Sequence, residues 1–131
     1  MTGLDTNVIV RYIVQDDPAQ FAISMKLFGS FTPESPGFIS AVSVLELVWV
    51  LQSCYKARRD EVERVLETLL RTRALIVERA ELIWQSLRVY AKSNADFEDC
   101  LIERTCHAIG CDQTMTFDRD AAKSAGMKLL S

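Results

Sequence analysis

The sequence predicts an α/β domain in which a parallel sheet carries helices in layers on both faces. Three observations carry this. Short apolar stretches at residues 2–4, 38–39, 74–77, 114–117 and 127–130 alternate with longer stretches of helical periodicity. Each pair of successive stretches is separated by one or two such helices, connections that suit parallel rather than hairpin pairing. The chain has 131 residues, enough for one domain over 1–131 with its own core.

The first strand, residues 2–4, ends at Asp5. From Val8 the apolar positions Val8, Ile9, Tyr12 and Ile13 recur at helical spacing, so Asp5 stands where a strand gives way to a helix. In an open parallel sheet that is the edge at which ligands bind. Asp, Thr and Asn also favour helix starts, so Asp5 has an equally simple reading as a cap. Asp16 or Asp17 caps the next helix with Pro18 at its first position, and Gly29 closes it near Phe28. Phe21, Ile23, Met25, Leu27 and Phe28 supply its apolar surface. Residues 32–37 carry two prolines and a glycine and read as a loop.

Residues 40–55 are apolar at nearly every position, and their length argues for a buried helix rather than a strand. Asp60 caps the following helix, whose Val62, Val65, Leu66, Leu69 and Leu70 share one face. Arg58, Arg59, Arg64, Arg71 and Arg73, interleaved with Glu61, Glu63 and Glu67, make its other face a solvated one of mixed charge. Residues 80–90 form a helix through Leu82, Ile83, Leu87 and Tyr90. Phe97, Leu101, Ile102, Thr105 and Ile109 mark the stripe of the next, which ends near Gly110. A short helix from Asp118 to Ser124 is closed by Gly126.

Composition excludes several classes. Hydrophobic residues are 49% and charged residues 25% of the chain, ordinary values for a water-soluble domain. No apolar run reaches about 18 residues, and no basic-then-apolar leader is present, so the expectation is a cytoplasmic protein. Cys54, Cys100, Cys106 and Cys111 contain no Cys-x-x-Cys pair and read as reduced thiols. Cys106, His107 and Cys111 lack the fourth ligand and the spacing of a zinc site. One histidine leaves little scope for a His-based triad. The net charge of −3 does not announce a nucleic-acid partner, and any such partner needs a local cation or a metal.

The chemistry lies in the carboxylates. Glu46 has Val42, Ser43, Trp49 and Val50 as its helical neighbours. None is charged, so a buried Glu46 needs a metal, a cation or a raised pKa; the alternative is an exposed edge. Asp96 and Asp99 open a helix in a pattern that resembles a capping box, with Asp99 able to turn inward. Asp118 follows a strand directly, as Asp5 does, and Asp120 follows two residues later. Asp5, Glu46, Asp99 and Asp118 are therefore expected to converge, with Asp96 and Asp120 nearby. Such a cluster needs a compensating cation. Oxygen ligands select a hard one, Mg²⁺ or Mn²⁺, which activates water and clamps phosphoryl oxygens.

The segments Asp5-Thr-Asn-Val-Ile-Val-Arg-Tyr, Leu45-Glu-Leu-Val-Trp, Asp96-Phe-Glu-Asp-Cys-Leu-Ile and Thr116-Phe-Asp-Arg-Asp resemble the acidic motifs of PIN-domain proteins. Their order and spacing are similar to those of VapC-type toxins of toxin–antitoxin pairs, over the whole chain. The resemblance implies a five-stranded parallel sheet in a three-layer α/β/α fold. It implies Mg²⁺-dependent endoribonuclease activity on RNA and inhibition by a cognate antitoxin, and a homodimer is a further expectation of the family. Matched motif by motif, Asp5 and Asp99 are the principal metal ligands. Glu46 and Asp118 complete the acidic pocket, and Thr6 and Thr116 are supporting hydroxyls. Two rival readings stand beside it. One is a catalytically silent PIN-like binding module. The other is a haloacid-dehalogenase-like phosphatase, which expects a second Asp two residues after the first, where this chain has Asn7.

Overall fold

The structure is a computed structural model and describes residues 1–130. The chain falls into two compact units, Met1–Ala80 and a second that begins at Glu81.

The first unit opens with β1 (Thr2–Gly3), α1 (Thr6–Val14) and α2 (Pro18–Gly29). Asp5 caps α1 and Asp17 caps α2, with Pro18 in its first turn. Gln15 ends α1 in the left-handed conformation at φ 61°. Tyr12 of α1 stacks on Phe28 of α2, ring centroids 4.0 Å apart. The expected apolar surface of α2 is only half right. Phe21, Leu27 and Phe28 are half-buried, whereas Ile23 and Met25 face outward.

β2 (Gly37–Ile39), α3 (Ala41–Cys54), α4 (Arg59–Arg71) and β3 (Leu75–Val77) complete the first unit. The three strands pair in parallel in the order β1-β2-β3. Thr2 stands opposite Gly37, and Gly37 opposite Leu75. The ladders continue past the strand ends through Leu4 N–H to Phe38 O at 3.0 Å and Glu78 N–H to Ile39 O at 2.8 Å. Ser40 caps α3 through its hydroxyl. Val44, Leu47, Val48 and Leu51 are its buried face. The other face is open: Val42 is 74% and Trp49 61% exposed. An all-apolar helix gave no periodicity from which to orient it, and here it buries one stripe rather than its whole circumference.

In α4, Val62, Leu66 and Leu69 are buried, as their spacing predicts. Asp60 is not the cap. That position is Arg58, whose N–H donates to Glu61 Oε1 at 2.9 Å. Asp60 instead joins Arg58 at 3.1 Å and Arg64 at 3.3 Å on the solvated face. Gly37 marks the tightest packing of this unit. A Cβ there would lie 2.7 Å from Phe31 Cε2 and 3.0 Å from Leu75 Cδ2. Gly37→Ala is therefore expected to destabilise by about 1–3 kcal/mol through overpacking. Thermal melts of the two proteins measure it, and an unchanged melting temperature would show that Phe31 yields freely.

The second unit holds α5 (Ala80–Lys92), α6 (Phe97–Ala108), β4 (Met115–Thr116), α7 (Arg119–Ser124) and β5 (Lys128–Leu129). Tyr90 of α5 meets Phe97 of α6 edge to face at 5.9 Å, and both are fully buried. α6 buries Phe97 and Leu101 of the expected stripe together with Cys100, whereas Ile102, Thr105 and Ile109 face outward. Ile109 is 84% exposed. β4, α7 and β5 form a small β-α-β unit with Met115 opposite Lys128, and Gly126 turns the chain at φ 80°.

The protein is thus α/β with parallel pairing throughout its named strands. The ladders form a three-stranded and a two-stranded sheet in place of the single five-stranded sheet expected. β1, β4 and β5 are two residues long each, which leaves few backbone groups with which to extend a ladder.

Candidate functional site

Each unit carries its own set of the predicted acids. In the first, Asp5 Oδ1 accepts the Thr6 N–H at 2.9 Å. This holds the exposed carboxylate at the N-terminus of α1 and leaves its second oxygen free. The cap reading and the site reading of Asp5 are therefore compatible. Thr6 is only 5% exposed, and its buried hydroxyl has no hydrogen-bond partner. A buried hydroxyl left unpaired is costly, so Thr6 Oγ1 is suited to receive a water or ligand.

Asp5, Thr6 and Glu46 line one cleft of about 360 Å³ with Arg11 and Tyr55. Here the sequence expectation needs correction. Glu46 is exposed on α3, so its apolar helical neighbours do not bury it. Val42 and Trp49 flank it on the same open face. Its claim on a site rests on facing the cleft with Asp5.

Arg11, Asp16 and Tyr55 form a network that sequence reasoning missed. Arg11 Nη1 donates to Asp16 Oδ1 at 2.7 Å, and the Tyr55 hydroxyl donates to Asp16 Oδ2 at 2.8 Å. The Tyr55 hydrogen bond, followed by Arg11, holds the Asp16 carboxyl below the usual range against the opposing effect of burial. Arg11 lies in α1 and Asp16 in the turn that follows it, and Tyr55 is 44 residues from Arg11. No local periodicity signals such a contact.

In the second unit, Asp96 has the backbone position of the α6 cap but makes no capping hydrogen bond with its side chain. The capping-box reading of Asp96 and Asp99 is thereby removed. Asp99 is half-buried in the first turn of α6. Its carboxyl is pushed above the usual range, first by burial and then by the charges of Asp96, Asp118 and Glu98. Glu98 was legible only as one more acid in the run that opens the helix.

Asp118 caps α7, its Oδ1 accepting from Asp120 N–H at 2.8 Å and Ala121 N–H at 3.2 Å. Thr116 Oγ1 accepts from Asp118 N–H at 2.9 Å, so this hydroxyl orients the backbone that carries the acid. Asp120 is exposed in the first turn of α7.

None of Asp5, Glu46, Asp96, Asp99 or Asp118 has an ion-pair partner among the described residues. Basic side chains pair elsewhere, at Asp16, Asp60 and Glu103. Uncompensated carboxylates, one of them resisting ionisation, fit a hard divalent cation by their donor chemistry. Among the described residues no three acid, histidine or cysteine side chains stand together as an ion-binding group, and Mg²⁺ is commonly held by one or two carboxylates with water completing its shell. The four cysteines form no disulfide, with Cys100 buried and Cys106 partly so, and Cys54 and Cys111 exposed. No helix among the described residues is long and apolar enough to cross a membrane.

The chain is 26% identical over 132 residues to a VapC ribonuclease of Aquifex aeolicus (strain VF5), covering 100% of this chain and 96% of that one. No solved structure matches. The profile of the PIN domain matches residues 4–127, from the end of the first strand to the last turn. The chain belongs to the PIN domain family.

Proposed function

We propose that this protein is a divalent-metal-dependent endoribonuclease and the toxin of a toxin–antitoxin pair, acting in the cytoplasm. The observation that carries the reading is the set of carboxylates left without cations, with the Asp99 carboxyl raised by burial and by its acidic neighbours. The VapC ribonuclease similarity over the whole chain supports the substrate class.

Asp5 and Asp99 would be the principal ligands of Mg²⁺, or of Mn²⁺ in its place. Glu46 and Asp118 would complete the acidic set, with Asp96 and Asp120 able to add charge. The ion supplies Lewis-acid polarisation of a phosphodiester and acidifies water. The chain's own residues supply orientation. The Thr6 N–H fixes one oxygen of Asp5, and the Thr6 hydroxyl is free to position a water. Thr116 sets the Asp118 backbone.

The proposed inhibitor is a cognate antitoxin. An apolar cleft of about 240 Å³ between α1 and α4, lined by Tyr12, Ile13, Val65 and Leu69, suits the apolar face of a peptide segment. Homodimerisation belongs to the same proposal. Expression of the wild type alone is expected to arrest growth, and co-expression of the product of the neighbouring open reading frame should restore it. That product should co-purify and abolish cleavage. A stable complex that cleaves RNA at the free protein's rate would contradict inhibition by occlusion. A protein that binds RNA without cutting it, with or without metal, would be the silent module.

A further inference from the structure

Arg11 lies in the last turn of α1 and is the only basic side chain on the described lining of the cleft shared by Asp5 and Glu46. It pairs with neither of those acids. Its Nη1 donates to Asp16 Oδ1 at 2.7 Å and to the Tyr55 oxygen at 3.4 Å. The Tyr55 hydroxyl in turn donates to Asp16 Oδ2 at 2.8 Å, so both Asp16 oxygens are engaged in holding the pair. The guanidinium is thus fixed through one nitrogen. Its Nε and Nη2 make no hydrogen bond, and the side chain is 33% exposed.

Nε and Nη2 form the side-on edge of a guanidinium, two parallel donors whose spacing matches two oxygens of a phosphate. Arg11 lines the cleft that holds Asp5 and Glu46, and a cation that served only to tie α1 to α3 would have no need to leave two donors unused beside those acids. A chain of net charge −3 also needs a placed cation if a polyanion is to approach these carboxylates. We propose that Arg11, held by Asp16 and Tyr55, is a phosphate-binding residue that seats the backbone of single-stranded RNA beside Asp5 and Glu46. This rests on the ribonuclease reading above.

The test uses the full chain, a labelled single-stranded RNA, and two assays. The first is binding by fluorescence anisotropy with Ca²⁺ over a series of salt concentrations. The second is cleavage kinetics with Mn²⁺. Arg11→Gln is expected to weaken binding and raise KM about tenfold, the size of one charge-assisted hydrogen bond, while kcat stays within about twofold. The slope of log affinity against log salt should flatten by about 0.7, the share of one phosphate contact on a single strand. A structural role would lower the melting temperature but leave that slope alone. Arg11→Lys should keep the slope and recover only part of the affinity, since it keeps the charge and loses the fork. If Arg11→Gln does not fold, Tyr55→Phe, which removes the second acceptor of Arg11 and loosens the Asp16 carboxylate that holds it, should raise KM about fivefold. Wild-type cleavage together with unchanged KM and slope in the folded variants would overturn the role of Arg11 and leave the nuclease standing. Wild-type protein that does not cut RNA in Mn²⁺ would remove the nuclease reading and this inference with it.

Discussion

Asp5→Asn is expected to lower metal-dependent RNA cleavage by roughly a hundredfold to a thousandfold, the loss that follows removal of one well-placed electrostatic group. Growth arrest on expression should vanish with it. The substitution isolates the charge. Asp5 caps α1 by accepting the Thr6 N–H at 2.9 Å, and an asparagine carbonyl oxygen can do the same. The melting temperature in chelator should therefore match wild type. Activity and stability separate cleanly at this position because the cap uses one oxygen and leaves the other free for a cation. An Asp5→Asn protein that cleaves at the wild-type rate would take Asp5 out of the site and reduce it to a cap.

Asp99→Asn is expected to remove most of the stabilisation conferred by added Mg²⁺ or Mn²⁺. In wild type that stabilisation is about 2.7 kcal/mol when free metal is about a hundred times Kd. The same variant should melt higher than wild type in chelator at neutral pH. The Asp99 carboxyl is raised above its ordinary value, first by burial and then by Asp96, Asp118 and Glu98. Its folded form therefore binds a proton more tightly than its unfolded form. Ionised Asp99 costs stability above the raised pKa, and this cost disappears as pH falls below the ordinary carboxylate value. Wild type and Asp99→Asn should then converge in acid and diverge toward neutral pH. The opposing effect is loss of a negative charge near the start of α6, worth about 0.3–1 kcal/mol in favourable cases. No capping bond is at stake, because Asp96 holds the cap position and Asp99 bonds to neither it nor its backbone. Thermal melts across pH, with chelator and with a metal titration, decide the matter. A metal-induced shift equal to wild type in Asp99→Asn would place the cation elsewhere.

What the sequence made legible was local. Asp5 and Asp17 each cap the helix that follows, because a short polar side chain before an apolar-periodic run has one favourable place to bond, whereas the caps at Ser40 and Asp118 appeared only in the structure. The acids at the starts of α1, α6 and α7 were found the same way. Glu46 shows where that reasoning stops. With apolar residues nearly all round α3, periodicity could not say which stripe faces the core, and the helix turned Val42, Glu46 and Trp49 to solvent. The α6 stripe held at Phe97 and Leu101 and failed beyond them for a related reason. Cys100 rather than Ile102 completes its buried face, since position on the helix outranks hydrophobicity. The Arg11–Asp16–Tyr55 network depends on a turn and on Tyr55 at the end of α3, 39 residues beyond Asp16, so it became visible only in three dimensions.

The most direct measurement is cleavage of a single-stranded RNA by the purified protein across a titration of Mg²⁺ and of Mn²⁺, with a parallel series in chelator. Carboxylates without cations of their own predict a rate that rises and saturates with either ion, vanishes in chelator and returns when excess metal is restored. RNA left intact at every metal concentration, or cut equally fast in chelator, would contradict the account.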